Sequence, residues 1–154
     1  MSIVNIKMKK AFTLIEVLVV IAILGVLMTI SIFALNSARQ NARDARRKAD
    51  LEAIRAALEI YRSDCFSYPL AVTDQVPTPL IGDDISSSQC LSTNIYANST
   101  PQDPSTGRIY RYARLTATRY ELCASLEGQT TAVTCGGSSD CGTGFTCTYK
   151  VVSP

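Results

Sequence analysis

The residues of this chain best suited to covalent chemistry are six cysteines, at 65, 90, 123, 135, 141 and 147, all beyond residue 64. Their even number, in a region rich in Ser, Thr and Gly, reads as disulfides made in an oxidising compartment. Zinc is the rival reading. The C-x5-C-x5-C spacing of Cys135, Cys141 and Cys147 is not the C-x2-C pattern, however, and the chain has no histidine. Without histidine, a glycine-rich phosphate loop or a nucleophile beside a base, catalysis has no visible machinery. The adjacent acids Asp83 and Asp84 fall in a loop and are expected to face solvent. The expectation is no enzyme, no catalytic residue, no metal, no cofactor and no small-molecule substrate.

One carboxylate stands out by position. Glu16 closes the stretch FTLIE, residues 12 to 16, at the head of a run from Val17 to Leu35 that contains no charge. Nineteen such residues at about 1.5 Å each nearly match the ~30 Å of a bilayer's hydrocarbon, so the segment is a membrane-spanning helix candidate. No small-x-small site follows it, so it is not read as a cleaved secretory signal. Lys7, Lys9 and Lys10 favour a cytoplasmic N-terminus, whereas Arg39, Arg43, Arg46, Arg47 and Lys48 pull the other way. The cysteines settle the direction, because their disulfides place the C-terminal part outside the cytoplasm.

The sequence KKAFTLIEVLVVIAILGVL resembles the N-terminus of type IV pilins and type II secretion pseudopilins. The resemblance implies a prepilin leader over 1–11, cut between Ala11 and Phe12 by a membrane peptidase, with the new amino group of Phe12 methylated and Glu16 retained. The family usually has glycine before the cut, where this chain has Ala11. It often carries a proline late in the apolar run, and here none occurs before Pro69. Met8 offers an alternative start to Met1.

Glu16 lies about 6 Å along a helix from the proposed new terminus, near the interface, where a carboxylate costs less than the ~2.5–3.5 kcal/mol of the bilayer centre. Thr13-x-x-Glu16 fits a capping box, favoured by the helix dipole. The functional reading is that Glu16 attracts the amino group of Phe12 in a neighbouring subunit and sets the register between them. Both can hold at once.

The helical pattern continues to about Ser63, with two faces. Leu51, Ile54, Leu58, Tyr61 and Cys65 share one stripe, the spacing of a helix packed on a domain core. Ala38, Ala42, Ala45, Ala49, Ala53 and Ala56 form another, where small residues would let helices of other subunits approach; alanine's helix propensity is the plainer reason for them. The charges Arg43, Asp44, Arg46, Arg47, Lys48 and Asp50 are expected to pair between subunits or sit near lipid headgroups.

Pro69 ends that pattern, and residues 64–106 read as a long loop, with Cys65 and Cys90 the candidates to pin it. Strands are expected over Ile109–Leu115, Tyr120–Leu126 and Phe145–Val152, the second alternating Tyr120, Leu122, Ala124 and Leu126 with Glu121, Cys123 and Ser125. An antiparallel sheet over 107–152, laid on the apolar helix stripe, completes an α+β fold: a long N-terminal helix, membrane-spanning over 12–35 and amphipathic over 36–63, carrying a small head over 64–154 like a lollipop. A Tyr-x-Tyr strand followed by YELCASLE looks like the sheet of major pseudopilins, which often hold calcium in the C-terminal loop. Here that loop, TTAVTCGGSSDCGTGF, offers Asp140 alone as a carboxylate, so Cys135 and Cys141 are expected to brace it instead.

The leading functional reading is a structural subunit of a type IV pilus-like or type II secretion filament. Its implied partners are its own copies, other pilins or pseudopilins, the prepilin peptidase and methyltransferase, and an inner-membrane assembly platform. The alternative is a minor tip pilin binding DNA or a surface, for which Arg108, Arg111, Arg114 and Arg119 with Tyr110 and Tyr112 are the suggestive residues. Removing residues 1–11 takes three lysines with it and leaves twelve basic against thirteen acidic side chains, a weak footprint for a polyanion.

Overall fold

The computed structural model describes residues 12–154. One helix, α1, runs Leu14–Cys65. It starts where Thr13 and Glu16 cap it, and within it glycine occurs once and proline never. It stops at Phe66, which adopts a left-handed φ of 55° and donates its N–H to the Arg62 carbonyl. That is the αL ending by which helices turn off their hydrogen-bond ladder. The chain divides into two units, Met1–Arg39 and Gln40–Pro154.

Within the first unit the described residues are helix from Leu14 onward, and its large aliphatic side chains are 47–83% exposed. The second unit contains five strands: β1 (Leu80–Ile81), β2 (Ile95–Ala97), β3 (Arg111–Thr116), β4 (Arg119–Ala124) and β5 (Tyr149–Val152). The first two form a small antiparallel pair, the other three an antiparallel sheet in the order β3-β4-β5. Tyr112 lies opposite Leu122, which in turn lies opposite Val151.

One face of that sheet meets α1. Leu51, Ile54, Leu58, Tyr61 and Cys65 form a single buried cluster with Tyr68, Tyr110, Tyr112, Tyr120, Leu122 and Val151. Leu51 and Leu58 are completely buried, each worth roughly 1.5–3 kcal/mol of transfer from water.

The structure departs from the sequence reading in three places. The 64–106 segment, read as a long loop, contains the β1–β2 pair, while the candidate pair Cys65–Cys90 does pin it to the end of α1. Gly82 is indispensable there, because a Cβ would fall 2.3 Å from the Leu91 carbonyl oxygen. The main strands are also shorter than expected. Ile109 gives its N–H to the Cys141 carbonyl and Leu126 gives its own to Thr148 Oγ1, so both leave the ladder. Phe145 and Cys147 likewise bond to Gly142 and Ser139, which delays β5 to Tyr149.

The third departure concerns the outer face of β4. Alternation predicts Cys123 and Ser125 on the more polar side, yet both are buried. A second cluster consists of Cys123, Cys135, Cys141 and Cys147. Cys123–Cys135 draws the segment after Gly128 across that face, and Cys141–Cys147 closes it further on. Cys135 and Cys141 both brace the loop, each through a different partner.

Candidate functional site: the long helix and what holds it

At the start of α1, Glu16 accepts hydrogen bonds from the Thr13 N–H at 3.3 Å and the Thr13 hydroxyl at 3.1 Å. The Glu16 half of the capping box is therefore made within the chain, while the Glu16 N–H goes to the Thr13 carbonyl and not to its hydroxyl. Phe12 is 77% exposed, while Ala11, the other residue of the expected cut, lies outside the described residues. Further along, Thr29 and Ser31 donate their hydroxyls to the Gly25 and Leu27 carbonyls at 2.7 and 2.8 Å. The polar atoms of the apolar run are thus satisfied by its own backbone, as a lipid environment demands.

Beyond Gln40 the helix is held by a clamp that the sequence did not reveal. Arg47 is completely buried. Its Nε donates to Asp103 at 2.7 Å, Nη1 to Asp44 at 2.7 Å and to Glu127 at 3.0 Å, and Nη2 to Ser105 at 2.9 Å. Arg43 adds a second donor to Glu127 at 2.8 Å. Asp44 accepts the backbone N–H groups of Glu127 and Gly128 at 2.9 and 2.8 Å. The bonds from Arg43 and then Arg47 outweigh burial and hold the Glu127 carboxyl down at about 2. Burial opposes the charge of Arg47, but Asp103, Asp44 and Glu127 together raise its pKa. Burial also opposes ionised Asp44, and the two backbone N–H groups and Arg47 overcome it.

Three of the charges assigned to inter-subunit pairing, Arg43, Asp44 and Arg47, are therefore engaged within the chain. Asp50 is engaged too, accepting the Tyr110 hydroxyl at 2.7 Å. The same device recurs along the helix: Glu59 accepts the Tyr68 and Tyr120 hydroxyls at 2.9 and 3.2 Å, and Asp64 accepts Tyr96 at 3.0 Å. Tyr68, Tyr110 and Tyr120 bury their rings and Tyr96 partly buries its own, and each spends its hydroxyl on a helix carboxylate. The alternating tyrosines were visible in the sequence, but nothing local marked Asp50, Glu59 and Asp64 as their partners. Ala38, Ala42, Ala45, Ala49, Ala53 and Ala56 all remain exposed.

The other candidates can now be placed. In the C-terminal loop Asp140 accepts the Gly142 N–H at 3.1 Å, while Glu121 of β4 receives Gly136 and Lys150. Among the described residues the grouping closest to a metal site is Cys65, Asp83 and Cys90, and its two cysteines are joined as a disulfide. Of the suggested nucleic-acid residues, Tyr110 and Tyr112 are buried. Arg108 donates to the Ser125 carbonyl and stacks on Phe145, and Arg111 pairs with Asp74 at 3.0 Å. Arg114 and Arg119 are left without a carboxylate partner among the described residues.

A capped, exposed apolar helix leading into an α+β head is a pilin-like layout, and comparison with known proteins specifies it. Residues 6–32 match the model of the prokaryotic N-terminal methylation motif. Residues 34–135 match the model of type II secretion system (T2SS) protein G. A type II secretion system core protein G of Pseudomonas aeruginosa is 34% identical over 108 residues, covering 69% of this chain and 74% of that protein. No solved structure matches. The chain belongs to the type II secretion system protein G family, a family of structural pseudopilins. The methylation motif and the apolar helix together fit a membrane-anchored member.

Proposed function

We propose that this chain is a repeated structural subunit of a secretion pseudopilus, made as an inner-membrane precursor with its N-terminus inside and its head outside. It is cut between Ala11 and Phe12, methylated on Phe12, and polymerised with its own copies and other pseudopilins through α1 on an inner-membrane platform. The observation that carries this reading is the exposure of the helix: from Leu14 to Leu35 its large aliphatic side chains are about half exposed or more, far beyond what a soluble surface tolerates. Lipid covers that surface before assembly, and neighbouring subunits cover it afterwards. The exposed alanines at 38, 42, 45, 49, 53 and 56 extend it as a close-packing face. Three disulfides support an external head.

Glu16 serves twice in this scheme, capping its own helix and meeting the amino group of Phe12 on the next copy. Two measurements test it. The intact mass of the membrane-extracted protein should show residues 1–11 missing and one methyl group gained; a mass retaining the leader overturns the processing. Glu16→Ala should leave the head folded and processing intact, yet cut the filament fraction at least tenfold. Normal filament yield from that variant would remove the register role.

A further inference from the structure

The second unit has an apolar cleft of about 420 Å³ beside the end of α1. Tyr61 lines its floor, while Leu70, Val72, Ile81 and Ile85 form lips that are 71, 58, 39 and 88% exposed. Arg114 stands on its rim with no carboxylate within ion-pair distance among the described residues, its Nε reaching only the Thr116 carbonyl. On α1 itself a second apolar surface lies free: Ile60 is 56% exposed, one turn from the exposed Ala56. Ile60 and Tyr61 are 100° apart on the helix, so Ile60 is turned away from the core that Leu58 and Tyr61 enter. One turn after Ile60 comes Asp64, which accepts the Tyr96 and Ser63 hydroxyls but has no cation partner among the described residues.

Two copies meeting through the same patch close into a dimer, whereas an open filament requires two different, complementary patches on each copy. The cleft and the Ile60 face are such a pair, and both are apolar. The cleft carries Arg114 together with an Asp83 whose carboxylate is held by the Ile85 and Ser86 N–H groups, and the Ile60 face carries Asp64 with no cation partner among the described residues. We propose that the cleft of one copy receives Ile60 of a second copy, with Arg114 of the first pairing to Asp64 of the second. This rests on the reading of the chain as a filament subunit.

The test uses full-length protein in its native membranes. A photo-crosslinking phenylalanine derivative replaces the exposed Ile85, and the crosslinked peptides are mapped by mass spectrometry. The expected product is a covalent dimer joined to the peptide containing Ala56 to Asp64. Crosslinks to another protein, to another part of a second copy, or none at all in material that still yields filaments, overturn the contact and leave the filament reading standing. Absence of filaments from the unsubstituted protein overturns both. In a parallel arm, Arg114→Glu and Asp64→Arg should each lower filament yield about tenfold, and the two together should restore it. Unaffected single variants, or a double variant no better than either, count against the pairing.

Discussion

The two faces of β4 are buried by different physics. On one, Tyr120, Leu122 and Ala124 meet the helix stripe through packed rings and aliphatic chains. On the other, Cys123 meets a segment whose buried residues are all half-cystines, with only Ala113 and Val133 added from the partly buried side chains. The first face needs a long helix to supply its surface. The second needs little apolar area, because a cross-link limits the unfolded chain instead. Twenty residues, 129–148, of which twelve are Gly, Ser or Thr, are thereby held on a sheet they could not otherwise cover. The clamp around Arg47 sits at the seam, since Glu127 and Gly128 connect β4 to the cystine-held segment.

The sharpest way to break this division is at the seam. Arg47→Ala removes the cation from among Asp44, Asp103 and Glu127, and stranding buried charge of this kind costs about 3–5 kcal/mol. Thermal unfolding of the head should fall steeply, with amide exchange rising first around residues 103–105 and 126–128. Leu58→Ala should cost about 2–5 kcal/mol by leaving a cavity on the aromatic side, and it should destabilise the whole head together. Replacing Cys123 and Cys135 by serine should cost about 2–3 kcal/mol for a cross-link spanning 12 residues. Here exchange should rise over the segment after Gly128 while Tyr112 and Leu122 stay protected. Equal exposure of both faces would mean that they do not unfold as separate units.

Acid should give the mildest effect. Glu127 is held at about 2, below its usual 4.5, so its contribution is complete above about pH 4.5 and is lost as pH falls towards 2. Asp44 is shifted in the same direction. The melting temperature should therefore drop between pH 5 and 2, and Glu127→Gln should flatten that slope. An unchanged slope would detach the clamp from acid stability.

What sequence reasoning could see follows from how local each signal is. The helix, its buried stripe and the Tyr112 and Tyr120 strands all rest on periodicity within a few turns or residues, and they were legible. The pair β1 and β2 was missed because strands of two and three residues carry no period. Sequence alone assigns Arg43, Asp44 and Arg47 to neighbouring subunits or lipid headgroups because their partners stand at 103 and 127, and a charge does not announce a distant partner. Cys123 was placed on a polar face because alternation describes a strand with one covered side, and here the disulfide covers the other. For Glu16, the contact with Thr13 can be read from spacing alone, whereas the proposed meeting with a second copy depends on a chain that sequence periodicity cannot represent.

The three disulfides join Cys65 to Cys90, Cys123 to Cys135 and Cys141 to Cys147. Six cysteines allow 15 pairings. The native one is the pairing in which each cysteine takes its nearest unpaired neighbour in chain order. A chain threading into an oxidising space from its N-terminal side therefore meets every bond in order of arrival. If the head is exported as proposed, this connectivity requires no reshuffling step, because each pair is complete before the next cysteine follows.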